Sequence, residues 1–255
     1  MLRNYKLKIE YNGKGFSGSQ IQDNERTVQS EIDRALRIYF KEDTKSIFSS
    51  RTDSGVHAIG QVANFKTAEE VRDPYRTLHS LNGLLPEDIA LTKIEEVPEN
   101  FHARYDAESR EYLYKIFTRR QRPVLRLDSL AWVKEPLDFE KMAAHAKTFL
   151  GEHDFSRYAY KPEDNNPNCN IYESEMIRES DICFKFRIKG NRFLRRMVRN
   201  IVGELIDVGI DGTPKEKIIA APAEGLTLMK VAYVPHEIYT WDDSKHGETM
   251  TLELN

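Results

Sequence analysis

The sequence predicts an α+β fold in two halves of similar order, and two kinds of periodicity support this prediction. Alternation of apolar and polar residues is typical of half-buried strands, whereas apolar residues at every third or fourth position are typical of helices. Both patterns occur between residues 5 and 97 and again, in longer segments, between residues 112 and 234. No simple sequence repeat is visible, but the similar order of the two series suggests an internally duplicated architecture.

The first half is predicted to run strand, helix, strand, helix, strand. The predicted strands are residues 5–11, 61–65 and 89–97. Thr27 is suited to cap the first helix, because a threonine side chain can accept a hydrogen bond from a free amide of the first turn. The second helix is predicted over residues 75–85, where it stops before a proline.

The second half is predicted to follow the same plan with longer elements. Strands are predicted at residues 112–118, 182–188 and 225–234, helices at 137–150 and 191–208, and an irregular loop rich in Asn and Pro at 164–170. The helix at 191–208 has the most regular apolar period of the chain. We expect the halves to divide near residues 101–106, as an N-terminal half of residues 1–103 and a C-terminal half of 104–255.

Composition excludes several classes of protein. A hydrophobic content of 40% and a charged content of 31% are typical of a soluble globular protein. The apolar stretches are much shorter than the ~20 residues of a membrane span, and residues 1–8 lack the apolar core of a secretory signal. Cys169 and Cys183 form no Cys-x-x-Cys motif, so we expect neither a disulfide framework nor a Cys-rich zinc site. A cytoplasmic location fits best.

Charge is unevenly distributed along a chain whose formal net charge is -3. Between residues 185 and 199 there are seven basic residues and no acidic one: Lys185, Arg187, Lys189, Arg192, Arg195, Arg196 and Arg199. The acidic residues Glu237, Asp242, Asp243, Glu248 and Glu253 are in the C-terminal tail. A charge run is usually a solvated face, but a run without acidic partners also favours phosphate contacts. Distribution matters more than net charge for a nucleic-acid partner.

The predicted helix at 191–208 would place its four arginines at spacings of three and four, and therefore on one face or its edges. Arg199 is near the apolar boundary of that helix, from which a long side chain can reach inward to a carboxylate. The predicted partners of this face are thus phosphate groups or a buried carboxylate.

The loop at residues 51–58, Arg-Thr-Asp-Ser-Gly-Val-His-Ala, is the first candidate for chemistry. An aspartate near a glycine is usually a turn-former. Arg51, two positions before Asp53, would project to the same side of an extended segment, and Gly55 lets the backbone turn. We interpret His57 as a residue that anchors the loop by hydrogen bonds. No further ligand has metal-binding spacing beside it, so a metal site is not predicted.

A second candidate is the segment Ser-Arg-Glu-Tyr-Leu-Tyr at residues 109–114. Tyr112 and Tyr114 would point to one face of a strand, and tyrosines in this pattern are more often core residues than functional ones. An aromatic ring in an RNA-binding cleft can nevertheless stack on an unpaired base, which contributes about 1–3 kcal/mol.

Residues 51–58 resemble the signature of the TruA family of tRNA pseudouridine synthases. Further motifs follow in the family's order: Gly13-x-x-Phe16-x-Gly18-x-Gln20-x-Gln22, Thr27-Val28-Gln29, Leu81-Asn82-x-x-Leu85-Pro86-x-Asp88-Ile89, Phe101-His102-Ala103-Arg104, Arg110-x-Tyr112-x-Tyr114, Gly151-x-His153-Asp154-Phe155-Ser156, Phe193-Leu194-x-x-Met197-Val198-Arg199 and Ala221-Pro222-Ala223-x-Gly225-Leu226-x-Leu228. The resemblance covers residues 6–233.

The resemblance implies two ferredoxin-like (RRM-like) halves whose sheets join around a basic cleft. It implies that Asp53 is the catalytic aspartate, that Arg199 pairs with it, and that Arg51 helps to extrude the target nucleotide. Tyr112 would pack on the flipped uracil, and Leu226 would line the same pocket. Around this site we expect Lys189, Arg192, Arg195 and Arg196 to bind RNA.

The implied reaction isomerises uridine to pseudouridine without a cofactor or a metal. Its implied substrate is tRNA, modified in the anticodon stem-loop on the 3′ side of the anticodon, and the implied assembly is a homodimer. Asp53 would act either as a nucleophile that forms a sugar adduct or as a base that gives a glycal, and the sequence leaves both routes open. An arginine beside a carboxylate favours its ionised form.

Several departures from the family pattern bear on the choice of uridine. Ser19 stands where the family usually has tryptophan, Ser49 and Ser50 where it has Ala-Gly, and Ser54 where it has alanine. A synthase for a different RNA site is therefore one alternative. Two others are a non-catalytic RNA-binding protein on the same scaffold and a metal-dependent hydrolase that uses Asp53 and His57.

Overall fold

A computed structural model describes residues 2–124, 129–160 and 166–234. The acidic tail residues and part of the loop predicted at 164–170 lie outside these ranges. Among the described residues, no helix is long and apolar enough to cross a bilayer. Ten strands and four α-helices form in the described ranges, which confirms the predicted α+β class.

The N-terminal half has the predicted alternation of strands and helices, with one additional short strand. Its elements are β1 (Arg3–Tyr11), α1 (Val28–Phe40), β2 (Ile47–Phe48), β3 (His57–Thr67), α2 (Pro74–Leu84) and β4 (Ile89–Val97). Thr27 caps α1 as predicted: its side chain accepts from the Ser30 amide, and the Ser30 side chain accepts from the Thr27 amide. Asp73 caps α2 by a single bond, in which its side chain accepts from the Arg76 amide.

The C-terminal half contains more strands than the sequence predicted. Its elements are β5 (Ala107–Thr118), β6 (Ala131–Val133), α3 (Phe139–Ala146), β7 (Gly151–Asp154), β8 (Asn168–Arg178), β9 (Cys183–Gly190), α4 (Met197–Asp211) and β10 (Leu226–Tyr233). The helix predicted at 137–150 is shorter because Asp138 caps it at its start and a short 3₁₀ helix follows Ala146.

All ten strands belong to one mixed sheet with the main order β4-β1-β3-β10-β5-β9-β8-β7. Strand β10, from the end of the described chain, pairs in parallel with β3 and antiparallel with β5. In the register of β10 with β3, Thr227 is opposite His57 and Leu228 is opposite Ala58. The two halves therefore join through β10, directly beside the loop that precedes β3.

The largest error in the sequence-based prediction concerns the start of α4. The predicted helix begins at residue 191, but α4 begins at Met197, and Arg196 before it is left-handed with φ 62°. The Asn191 amide donates to the Asn170 carbonyl, and the Arg195 carbonyl accepts from the Tyr160 amide. These bonds hold the segment in a non-helical path, so the prediction that Arg192, Arg195 and Arg196 share a helical face with Arg199 is wrong.

Strand β8 was missed because its alternation changes phase. Cys169 and Ile171 are buried, but a bulge between Ile171 and Glu173 shifts the register, so that Ser174 is the next buried side chain. One extra residue moves the following side chains to the opposite faces of the sheet. Residues 168–170, predicted as irregular loop, are the first residues of this strand.

Candidate active site

The loop that carries Asp53 makes a sharp turn into β3. The Asp53 carbonyl accepts a hydrogen bond from the Val56 amide at 3.1 Å. Gly55 has φ +82°, and a Cβ at this position would lie 3.1 Å from the Cβ of Ala223. Glycine therefore satisfies both the left-handed backbone and the close approach of the segment before β10.

Two hydrogen bonds between Ser19 and Thr52 hold the part of this loop before Asp53. The Thr52 amide donates to Ser19 Oγ at 2.8 Å, and the Ser19 amide donates to the Thr52 carbonyl at 3.1 Å. Gly18 has φ +103°, and a Cβ there would lie 3.0 Å from the Thr52 carbonyl oxygen. Ser19 is almost fully buried. It therefore fixes the residue immediately before Asp53.

Buried polar groups hold the other side of Thr52. Its Oγ1 is hydrogen-bonded to the Tyr11 hydroxyl at 2.8 Å, and Gln61 Nε2 donates to the same hydroxyl at 3.3 Å. Burial raises the pKa of Tyr11 to about 12, so its phenol stays neutral at physiological pH. His57 Nδ1 accepts from the Gly13 amide at 3.2 Å, which confirms the prediction that His57 anchors this loop.

Arg199 reaches the Asp53 carboxylate from the first turn of α4. Arg199 Nη1 donates to Asp53 Oδ2 at 3.0 Å, although the two residues are 146 positions apart. The side chains are 15% and 23% exposed, so solvent screens this ion pair less than a surface pair. The structure thus brings together the predicted carboxylate and its predicted cationic partner.

The segment before β10 fixes the orientation of Arg199. The Ala221 carbonyl accepts from Arg199 Nε at 2.8 Å, and the Ala221 amide donates to the Arg199 carbonyl at 2.9 Å. The Tyr114 hydroxyl donates to the Pro222 carbonyl at 2.8 Å. A Cβ on Gly225 would lie 2.6 Å from the Tyr114 ring. Tyr114 is therefore a packing residue that supports the segment contacting Arg199.

Tyr112 and Leu226 are on neighbouring strands behind the site. Leu226 is opposite Tyr114 in the register of β10 with β5, which places it diagonally beside Tyr112 on the same face. Both Tyr112 and Leu226 are buried, and the Tyr112 ring meets the Phe193 ring edge-on at 5.2 Å. Burial raises the pKa of the Tyr112 phenol, and the Asp53 charge adds to this increase. The phenol is therefore neutral at physiological pH.

The remaining predicted RNA-binding residues occupy different environments. Arg51 is exposed, next to the buried Thr52. Arg192 is half-buried and Arg195 is exposed in the segment before α4. The Arg196 guanidinium lies over the Tyr160 ring at 4.0 Å. Lys189, near the end of β9, pairs with Glu173.

The basic residues of β9 have acidic partners on β8. Arg187 Nη2 is 2.6 Å from Glu175 Oε1, and Lys189 Nζ is 3.2 Å from Glu173 Oε1. Lys185 pairs with Glu179 just beyond the end of β8. The sequence run lacks acidic residues, but the antiparallel neighbour of β9 supplies them. The basic run therefore does not form one continuous unpaired surface.

The geometry defines an enzyme-like site, with a carboxylate oriented by a guanidinium at the junction of the two halves and neutral aromatic rings behind it. Within residues 2–124, 129–160 and 166–234, no three His, Cys, Asp or Glu side chains form a group able to hold a metal ion. The arrangement places a carboxylate held by a guanidinium where it can act in nucleophilic or base chemistry.

Comparison with known proteins assigns the family. A sequence profile described as "tRNA pseudouridine synthase" matches residues 8–106 and 145–221. This chain belongs to the tRNA pseudouridine synthase family, which confirms the resemblance predicted from residues 51–58 and the accompanying motifs.

Curated relatives agree over nearly the full length. The chain is 39% identical over 244 residues to "tRNA pseudouridine synthase A" of Dictyoglomus thermophilum, covering 90% of this chain and 99% of that protein. It is 39% identical over 245 residues to the protein of the same name from Acetivibrio thermocellus, covering 91% and 100%. A solved structure, "Crystal Structure of a Cbf5-Nop10-Gar1 Complex", matches with a TM-score of 0.39 and 9% identity, over 88% of this chain and 58% of that one.

Proposed function

We propose that this protein isomerises uridine to pseudouridine in tRNA and that Asp53 is its catalytic carboxylate. The observation that carries the proposal is the pairing of Asp53 Oδ2 with Arg199 Nη1 at 3.0 Å. These two residues come from separate family motifs, and the described fold brings them together at the junction of β3 and β10. The names of the relatives indicate the same reaction and the same class of RNA.

The reaction exchanges one bond to the ribose for another. The bond from C1′ to N1 of uracil breaks, the base turns, and a bond from C1′ to C5 forms; C5 loses its proton and N1 gains one. Asp53 takes part either as a nucleophile at the sugar or as the base that removes a ribose proton. Arg199 stabilises the charged carboxylate by a charge-assisted hydrogen bond and holds it in one orientation.

The target uridine must leave its stack before Asp53 can reach it, at a cost of a few kcal/mol. Arg51, exposed beside Asp53, is suited to hold the RNA where the nucleotide has left. Tyr112 and Leu226 form the apolar wall against which the flipped uracil would pack. Because the Tyr112 phenol is neutral, this wall adds no charge beside the reacting base.

From the family resemblance we also propose the RNA region that is modified, the oligomeric state, the location and the architecture of the two halves. The substrate region is the anticodon stem-loop, and the protein acts as a homodimer in the cytoplasm. The halves 1–103 and 104–255 are each ferredoxin-like units. The order β4-β1-β3 with helices α1 and α2 between the strands supports this for the first half. In a dimer, one RNA could contact basic segments of both subunits, which fits a chain of net charge -3.

The direct test is release of tritium from C5-labelled uridine in unmodified tRNA. We expect the wild-type protein to release tritium and Asp53→Asn to release none while its Kd for tRNA stays within about threefold. Asp43→Asn is the matched control, because Asp43 is an exposed aspartate on the segment between α1 and β2 and has no part in the proposed site. It should keep full activity.

The same assay separates the alternative functions. Tritium release by Asp53→Asn would overturn the assignment of the carboxylate. Binding without release by the wild-type protein would favour a non-catalytic RNA-binding protein. RNA cleavage that a chelator abolishes would favour the metal-dependent hydrolase. Mass-spectrometric mapping of pseudouridine across a full tRNA pool then identifies the uridine, and product only outside the anticodon arm would contradict the proposed target region.

A further inference from the structure

A pocket of about 290 Å³ lies beside the first turn of α4 and is distinct from the Asp53 site. Its lining includes Arg157, Tyr160, Arg196, Asn200, Glu216 and Ala220. None of these residues has a role in the chemistry proposed for Asp53. Arg196 and Asn200 both line the pocket, whereas Arg199, which is between them in the chain, reaches Asp53.

The pocket and the active site share a wall. Ala220 lines the pocket, and the next residue, Ala221, makes two hydrogen bonds to Arg199. An extended RNA strand whose target nucleotide is at Asp53 would therefore pass close to this pocket with a neighbouring nucleotide.

One side of the pocket is a flat cationic platform. The Arg196 guanidinium lies over the Tyr160 ring at 4.0 Å, and Arg195 approaches the same ring at 5.3 Å. Arg196 Nε is buried and makes no hydrogen bond to any described residue. The backbone of Arg196 is left-handed, φ 62°, a strained conformation for a non-glycine residue that is often found at ligand clamps.

The other side of the pocket holds fixed polar groups. Arg157 Nη2 donates to the Lys215 carbonyl at 2.8 Å and to Glu204 Oε2 at 3.3 Å, which fixes the guanidinium in place. Asn200 Nδ2 donates to the Tyr158 carbonyl at 2.7 Å, which sets the orientation of that amide. Glu216 adds a carboxylate. The lining thus combines guanidinium donors for a phosphate, a ring for stacking, and acceptors for base N–H groups.

We propose that this pocket binds one unpaired nucleotide of the RNA strand next to the target uridine, with its base stacked on Tyr160 and Arg196. This proposal rests on the proposed function, because it takes the same RNA as the ligand. The volume is close to the ~300 Å³ lower limit of ordinary ligand pockets, which suits one nucleotide rather than a duplex. Base stacking on aromatic and arginine planes is a general mode of single-strand binding.

The test measures Kd for anticodon stem-loop RNAs in which one nucleotide at a time is replaced by an abasic residue. Asp53→Asn is the background, so that no RNA is modified during the measurement. We expect one abasic position next to the target to weaken binding about tenfold, the effect of losing one stacked base. In Asp53→Asn/Tyr160→Ala, binding to the intact RNA should be weaker by a similar factor, and that abasic position should have no further effect.

Matched variants separate stacking from folding. Tyr160→Phe keeps the ring and should retain the abasic effect. Arg196→Gly removes the guanidinium but suits the left-handed backbone, so we expect it to weaken binding without lowering Tm. Tyr172→Ala removes an exposed tyrosine on β8 and should change nothing.

Two results would overturn the pocket assignment. In the first, Tyr160→Ala has no effect on the Kd for RNA. In the second, Tyr160→Ala and each abasic position weaken binding independently, so that their effects are additive. This outcome differs from failure of the proposed function. If the wild-type protein makes pseudouridine but the effects are additive, the pocket assignment is wrong and the function stands. If coupling is seen but no pseudouridine forms, the pocket binds RNA and the assignment of Asp53 is wrong.

Discussion

The basic run between residues 185 and 199 divides into two regions with opposite properties. In β9, Arg187 and Lys189 are directly opposite Glu175 and Glu173 of β8 and form ion pairs with them. From residue 192 onward the chain leaves the sheet; Arg196 then stacks on Tyr160, and Arg199 turns to Asp53. The two regions are adjacent in sequence and similar in composition.

The difference shows that a run of basic residues in the sequence need not form one basic surface in the folded protein. A strand in an antiparallel pair faces its neighbour residue by residue, so its charges are matched wherever the neighbour carries the opposite sign. A loop followed by a helix has no such neighbour, and its arginines turn to the Tyr160 ring and to the Asp53 carboxylate. We therefore expect residues 192–199 to contribute more to turnover and RNA binding than the residues of β9. Lys189 should contribute less than the arginines of that segment.

The largest expected contrast between the two regions is in turnover. Arg199→Ala should lower kcat about 100- to 1,000-fold, because it removes the preorganised donor that orients Asp53. Arg199→Lys should lose less activity, because it keeps the positive charge. It should still be slower than the wild-type protein, because a lysine cannot donate to both Asp53 and Ala221 in the same geometry. Arg187→Ala on β9 should keep wild-type kcat in the tritium-release assay. Equal losses from Arg199→Ala and Arg187→Ala would contradict the division.

The loop that carries Asp53, the partner of Arg199, can be tested through the residue that holds it, Ser19. Ser19→Ala removes the acceptor of the Thr52 amide and leaves every charge in place. We expect kcat to fall about tenfold, because a small displacement of a catalytic group is costly, while KM is unchanged. Ser19→Thr keeps a hydroxyl and should recover activity. A rise in KM at constant kcat would show that Ser19 acts on RNA binding instead.

A smaller contrast is expected in RNA affinity. Arg195→Ala should weaken tRNA binding a few-fold and reduce the slope of log Kd against log salt by about 0.7, the contribution of one contact to a single-stranded phosphate. Arg187→Ala, whose charge already has a carboxylate partner, should leave the slope unchanged. Titrations at several salt concentrations measure both variants. A lower slope for Arg187→Ala would show that the β9 cations also contact RNA.

The smallest expected effect is on stability. Glu175→Gln breaks the pair with Arg187, and both side chains are partly exposed. We expect the free energy of unfolding in urea to change by less than about 1 kcal/mol, as for other surface pairs. A loss of several kcal/mol would mean that the β8–β9 charges stabilise the sheet rather than only balancing one another.

Much of the fold was predictable from local patterns. The strand over Ile89–Val97, the Thr27 cap and the helix ending at Leu84 agree with the sequence-based predictions, because short-range periodicity and capping chemistry determine them. Two predictions failed where a distant segment competes with the local pattern. The start of α4 is moved by hydrogen bonds to Asn170 and Tyr160, and β8 is hidden by a bulge.

The candidate site shows the same limit. Asp53, Arg199, Tyr112 and Leu226 were identified from motifs. Ser19 was recognised only as a departure from the family pattern, since its bond to the Thr52 amide spans 33 positions and leaves no local signal. The same is true of Tyr11, whose hydroxyl contacts Thr52 Oγ1 from β1.

The sequence by itself determined the types of most elements, the family, and the loop that carries Asp53, because each depends on residues close together in the chain. Only the tertiary structure decided which group each charged side chain contacts. Strand β10 joins the halves beside β3, and this places Arg199 against Asp53 across 146 positions. Strand register pairs β9 with the acidic residues of β8. The physical reason is that charge interactions depend on distance in space, which sequence separation does not record.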